Sequence, residues 1–284
     1  MKKFTVLALA LLMPLLVCAQ AQIDTKKMKI SDFTQKITKV VLTGNLFHDA
    51  TMESEVTAKW NISPFEFCSL KEFEELKSDE NYYFLMTTKG QFKKEAGPGI
   101  TFLTLVKGGK DADKGINRML EIVSFPYAST DDPSGREVVF LPFILDIMQS
   151  YTLDAMEKDL NGYVGLASTT LNLSKSEDMT IVFSESDLSS GIVADIRNQY
   201  FDDQVLVMDD NEADKYMSPD RANTLVSYVV APTTPGSGSY CYKMLIDPHS
   251  AELYYFRKHR ISKTDSPGFL VEDIKRITSP RNKK

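Results

Sequence analysis

One pattern of residues recurs at an offset of 140: the stretch 41–76 is echoed by 181–216 in spacing and residue class, though not in identity. In the first copy Lys39-Val40-Val41-Leu42 reads as a strand that Gly44-Asn45 ends. His48, Met52, Val56 and Trp60 follow at intervals of four, the spacing of one helical face. Pro64 breaks that run, and Phe65-Glu66-Phe67-Cys68 alternates as a strand does. Ser69 and Glu72 then form a capping box for a helix whose inner face is Leu70, Phe73 and Leu76. In the second copy the strand is Thr180-Ile181-Val182-Phe183 and the stripe is Leu188, Ile192, Ile196 and Tyr200. Val205-Leu206-Val207-Met208 is its second strand, and Asp209 with Glu212 repeats the cap, Asp taking the role of Ser.

The order continues downstream in both copies. Residues 82–87 match 225–230 as a third strand, 101–106 match 240–246, and 119–125 match 252–257. The last two pairs read as hairpins, closed by Asp247-Pro248-His249-Ser250 in the second copy and by the longer polar loop 107–117 in the first. A Pro/Ser/Asp segment then leads to a helix, at 143–160 and again at 269–277. The fold class is therefore α/β with mixed sheets: two tandem β-α-β-α-β-β-β-α modules, each a sheet with helices packed on it. The expected divisions are a signal peptide at 1–21, an N-terminal extension at 22–35 and a first module at 36–162. A linker at 163–177, a second module at 178–278 and a basic tail at 279–284 complete the chain.

Lys2 and Lys3 precede an apolar run at 4–17 and a small-x-small site, Ala19-Gln20-Ala21, which together read as an export signal cleaved after Ala21. The alternative is a lipoprotein anchored through Cys18, for which Val17 is a poor neighbour. No other stretch reads as a membrane span, so the expectation is a periplasmic or secreted protein. Loss of the signal removes two lysines and no acid, leaving the exported chain more acidic than the formal −6 of the whole. Nucleic acid is not an expected partner, because it demands a concentrated basic surface. Cys68 and Cys241 remain after processing. Each lies in a strand-like run where a free thiol behaves as a small buried hydrophobe, with a disulfide between them as the alternative.

Candidate chemistry is sparse. Of the three histidines, His48 occupies the stripe position that Leu188 holds in the other copy, His249 sits in a hairpin turn and His259 at a basic strand end. No HxxxH or Cys/His spacing is present, so neither a metal nor a cofactor is expected and no catalytic residue is assigned. The loop Asp111-Ala112-Asp113-Lys114-Gly115 lacks the ligand spacing of a calcium site. Gly236-Ser237-Gly238 is followed by a strand rather than the helix that a phosphate cradle needs, and reads as a flexible connection. The aromatics are the remaining signal. Tyr82, Tyr240, Tyr242 and Tyr254 lie in strands from which some rings face outward, and are the candidate contacts for a ligand or partner.

In element order the repeated strand and capped-helix unit, behind an export signal, resembles the N-terminal domains of TolB proteins and the activators of penicillin-binding proteins. The resemblance implies an envelope protein of a Gram-negative bacterium that contacts another protein. The expected function is non-enzymatic binding or scaffolding, by a sheet edge or the groove between lobes. The alternative is an envelope hydrolase with its site in the inter-lobe cleft.

Overall fold

The computed structural model describes residues 29–157 and 169–279. The segment read as an export signal, the first half of the N-terminal extension, part of the linker and the basic tail Arg281-Asn282-Lys283-Lys284 lie outside the described residues. The first sheet contains β1 (Ile37–Leu42), β2 (Phe65–Ser69), β3 (Tyr82–Gly90), β4 (Ile100–Lys107) and β5 (Leu120–Ser129), in the order β2-β1-β3-β4-β5. The second contains β6 (Thr180–Ser184), β7 (Val205–Met208), β8 (Thr224–Val230), β9 (Tyr240–Asp247) and β10 (Glu252–Arg260), in the order β10-β9-β8-β6-β7. Strand for strand, these are the same topology. In each, the first strand pairs in parallel with the second and third, and the rest are antiparallel.

The α-helices lying wholly within the described residues are α1 (Leu46–Lys59), α2 (Leu70–Leu76), α3 (Arg136–Glu157), α4 (Ala194–Tyr200), α5 (Asp210–Asp214) and α6 (Val271–Thr278). The expected caps are present. The Ser69 hydroxyl accepts from the Glu72 amide while the Glu72 carboxylate accepts from the Ser69 amide, and the Asp209 carboxylate accepts from the Glu212 amide. Leu70 departs from expectation: as the first residue of α2 it points to solvent, while Phe73 is buried.

The stripe is matched only in part. In the first copy Met52, Val56 and Trp60 pack under the sheet, and the Trp60 indole N–H donates to Ser63 Oγ at 3.0 Å. In the second copy the helix begins only at Ala194. Leu188 is extended (φ −88°, ψ 132°) and bridges to Phe269, so it is not the structural counterpart of His48. A short 3-10 turn at Glu185–Asp187 and the extended run after it replace the front of the helix. The N-terminal segment, read as an extension, contributes to the core: Ile30 and Phe33 are fully buried, and the Phe33 ring meets Tyr83 and Trp60 edge-on.

Helix α3 holds the two sheets together. It begins at Arg136, seven residues before the expected start, and runs through Pro142. An interior proline costs about 3 kcal/mol. Burial of Phe140 and Leu141, with the bonds made by Arg136, offsets that cost and keeps the first turns helical. Among the described residues α3 is the one helix long and apolar enough to cross a membrane by composition. Its surroundings account for that. Leu141, Ile144, Leu145, Met148 and Ala155 lie in one continuous core with β3–β5 on one side and β8–β10 on the other. A helix covered on most of its circumference is apolar over most of it, and only a strip through Val139, Ser150 and Leu153 meets solvent.

The register defines which positions of the two sheets are equivalent. Cys68 pairs with Val41 and Phe84 with Val106; the matching partners in the second sheet are Met208 with Ser184 and Val226 with Ile246. The face carrying Phe84 and Met86 therefore corresponds to the face carrying Val226 and Tyr228. In the second sheet that face packs on α3, whereas in the first it points outward under α2. The lobes are stacked head to tail.

Both cysteines are buried free thiols. Burial pushes Cys68 up to about 11 and Cys241 up to about 12, and the Cys241 sulfur accepts from the Gly268 amide at 3.3 Å. The thiolate is the reactive form. Neither thiol of a chain starting at Gln22 should therefore react with DTNB near neutral pH in the native state, and both should react once unfolded in guanidinium. Rapid labelling before unfolding would contradict their burial.

Candidate functional site

The outward face of the first sheet is only partly covered. Helix α2 and the 3-10 turns at Ala112–Lys114 and Ile116–Arg118 close over Val41, Phe84, Met86 and Val106. Beyond them a groove of about 530 Å³ runs over β3, β4 and β5, a size usual for small-ligand sites. Its floor carries a line of hydroxyls across three strands. Thr88 Oγ1 lies 2.8 Å from Thr104 Oγ1, which lies 3.0 Å from Ser124 Oγ. Two hydrogen bonds join three hydroxyls, so one proton and several lone pairs remain for a guest.

Aromatic rings from both lobes form the wall. Phe102 comes from β4, Phe92 from the β3–β4 connection, and Tyr242 and Phe256 from the second sheet. Phe102 meets Tyr242 edge-on at 5.7 Å, and Phe92 packs on Tyr240 at 4.7 Å. Gly90 makes room for this wall: a Cβ there would lie 2.5 Å from the Phe102 ring. Gly238, at φ +97°, lets its loop rest on the backbone of Lys93–Glu95, so a connection read as flexible is a close contact between lobes. The Lys258 ammonium stands over three rings, 5.5 Å from the centroid of Phe92, 5.2 Å from Tyr240 and 5.7 Å from Tyr242.

The four candidate tyrosines are not brought to one place. Tyr242 lines the groove and Tyr240 supports its wall through Phe92. Tyr82 is half-buried at the other end of β3, under the Lys39 ammonium, and Tyr254 is buried in the second core. Phe92, Phe102, Lys258 and the hydroxyl line were not singled out from the sequence. A signal for the last did exist. Thr88, Thr104 and Ser124 are equivalent by register to Val230, Met244 and Phe256, which are apolar and buried where the second lobe packs inward.

A second polar cluster sits at the ends of the parallel strands in the second lobe. Arg136 donates from Nη1 to Asp187 Oδ1 at 3.0 Å, from Nε to Asp214 Oδ1 at 2.9 Å and from Nη2 to the Ser227 carbonyl at 3.1 Å. Ser227 Oγ donates to Asp187 Oδ2 at 2.6 Å and accepts from the Ser184 amide. Asp210 accepts from the Ser184 and Ser186 hydroxyls. Burial pushes the Asp187 and Asp214 carboxyls above their ordinary range, against the pull of Arg136. At Asp210 the hydrogen bonds from Ser184 and Ser186 outweigh burial and hold it below. No histidine belongs to the cluster, none of these residues lines the groove, and each hydroxyl donates to a carboxylate already held. Its role is to join the start of α3 to the second sheet.

The remaining candidates stand apart from one another, although His48 Nε2 and His259 Nδ1 are buried without a hydrogen-bond partner among the described residues. His48 Nδ1 is 3.3 Å from Asp49, whose carboxylate accepts from the Thr43 and Gly44 amides and closes the turn into α1. His249 lies in the β9–β10 turn and its Nδ1 is 2.7 Å from the Pro219 carbonyl. His259 is held down by burial and by Lys243, with Nε2 3.1 Å from the Ser266 carbonyl. Asp111 pairs with Lys114 and Asp113 accepts from Ser78, so the acidic loop does not converge. Among the described residues no group of three or more His, Cys, Asp or Glu side chains is placed to hold a metal. No family model, curated protein or solved structure matches the chain.

Asp187 and Asp214 bind a proton more tightly folded than unfolded. The stability tied to them is complete below the unfolded value near 3.8 and is lost as pH rises through their raised folded values. Arg136→Met removes the charge that limits this loss. In urea unfolding the variant's deficit against wild type should be small at pH 4 and grow to about 3–5 kcal/mol at pH 8, the range for breaking a buried ion pair. Adding Asp187→Asn should recover part of it. A deficit independent of pH would show that the lost packing, not the charge, matters.

Proposed function

We propose that this is an exported binding protein of the bacterial envelope that holds its ligand in the groove on the first sheet without transforming it. The supporting observation is the contrast between equivalent faces. Where the second lobe buries Val230, Met244 and Phe256 in the core shared with the first, the first presents Thr88, Thr104 and Ser124 to an open groove walled by aromatic rings, Phe256 among them. Hydroxyls that would be costly under a packed helix are favourable where a polar guest or water can pair with them.

The groove is a better candidate than a sheet edge. Of the four outer strands, β2 and β7 are five and four residues long and offer few free backbone groups to an added strand, while the longer β10 is met by the 3-10 turn at Thr169–Lys175, where Asn172 Nδ2 donates to the Leu253 carbonyl, and β5 packs against α3. The export signal and the element order shared with envelope modules support the location. The binding reading is favoured over hydrolysis because the polar cluster around Arg136 is self-satisfied and stands apart from the groove.

A thermal-shift screen of small polar ligands tests the reading. A true groove ligand at 100-fold its Kd should raise Tm by about 5 °C. Ser124→Trp, which fills the floor, should abolish the shift, and Thr88→Trp should do so independently. Ligands that stabilise the blocked variants as well as wild type would place binding elsewhere.

A further inference from the structure

We infer that the groove takes an acidic oligosaccharide. This rests on the groove reading above and adds the ligand class.

Three properties of the groove combine in that class. The first is the hydroxyl line Thr88–Thr104–Ser124, which both donates and accepts at fixed positions. A sugar ring presents hydroxyls of the same dual character. A peptide laid on the same face would bring amides and carbonyls in strict alternation, and a sheet face, unlike an edge, has no free backbone to meet them.

The second is the exposed part of the wall. Phe102 and Phe92 are half-buried rings beside that floor, and the space for Phe102 is kept open by Gly90. A flat ring edged by polar groups suits a pyranose, whose C–H face is apolar and whose rim is not. A purely apolar guest such as an acyl chain would bury the one proton and the lone pairs that the hydroxyl line leaves over against nothing able to pair with them.

The third is charge. The chain as a whole is acidic, with a formal net charge of −6, yet the groove lining carries Lys89 and Lys258 against the single carboxylate Glu121. The loop that supplies Phe92 continues as Lys93-Lys94, both exposed. The Lys258 ammonium is held over three rings rather than left to sample many rotamers. A cation fixed in this way meets a carboxylate with less loss of side-chain freedom. A positive rim on an acidic protein selects an anionic sugar over a neutral one, and it disfavours a cationic guest in the aromatic cage.

The test is calorimetric titration of the protein with trisaccharides of galacturonate, mannuronate and glucuronate, beside maltotriose and cellotriose as neutral counterparts. At least one uronate should bind about tenfold more tightly than either neutral sugar. Raising salt from low to high ionic strength should weaken it about fivefold, as expected for charges at a wetted rim. Lys258→Gln should remove most of the preference for the uronate over the neutral sugars. Phe102→Leu, which keeps the apolar volume but not the ring, should weaken both sugars, and Phe92→Leu repeats that test at a less buried site. Equal affinity for charged and neutral sugars would overturn the acidic class. Uronate binding that persists in Ser124→Trp would overturn the placement. If no saccharide binds while a screened ligand still protects wild type but not Ser124→Trp, the sugar inference fails and the groove reading stands. If nothing protects wild type selectively, both fail.

Discussion

Everything else in this molecule depends on α3 being buried between two sheets. A helix that completes one module and serves as the floor of the next is covered where it meets each sheet and leaves only a narrow strip, through Val139, Ser150 and Leu153, to water. That is why its sequence is apolar on most sides and why buried polar side chains such as Arg136 and Gln149 are bonded so fully. Gln149 illustrates the point, accepting from the Asn61 amide and donating to the Lys59 carbonyl, so that it finishes the open end of α1. Arg136 does the same at the other end, with two carboxylates and a carbonyl around one guanidinium, beneath the stacked rings of Phe140 and Tyr228. The Tyr228 hydroxyl then reaches the Tyr127 carbonyl across the lobes at 2.5 Å. Both lobes thus share one core, and neither buries its apolar face alone.

What the sequence disclosed was what is local. Capping pairs, alternating strands and turn residues act within a few positions, so Ser69 with Glu72 and Asp209 with Glu212 were readable in advance, as was the order of ten strands. The misreadings came where tertiary packing overrode a local signal. The helix expected from residue 143 starts at Arg136, with Pro142 an interior residue held by its neighbours. Leu188 kept the spacing of a helical stripe but lies in an extended stretch, because the turn at Glu185–Asp187 takes up the chain that would have begun the helix. Tyr254 looked like a ring free to face outward and is claimed by the second core.

The groove was less legible because its parts come from places that only the fold unites: the end of β3, the middle of β4, the far edge of β5 and two strands of the other lobe. Aromatic content pointed towards it through Tyr240 and Tyr242 but not to Phe92 or Phe102. Comparing the copies strand by strand, rather than by their apolar stripes, is what isolates Thr88, Thr104 and Ser124. A duplicated chain carries its own internal control, and the positions where the copies disagree in polarity are where their surroundings have diverged.

Head-to-tail stacking has one more consequence. Such an arrangement does not close on itself: each module offers its neighbour a helix layer on one side and an open sheet face on the other, so a series of them has a terminus that could always accept another unit. In this chain that terminus is the face with the hydroxyl line. Replacing valine, methionine and phenylalanine by threonine, threonine and serine makes it a poor seat for the next helix layer.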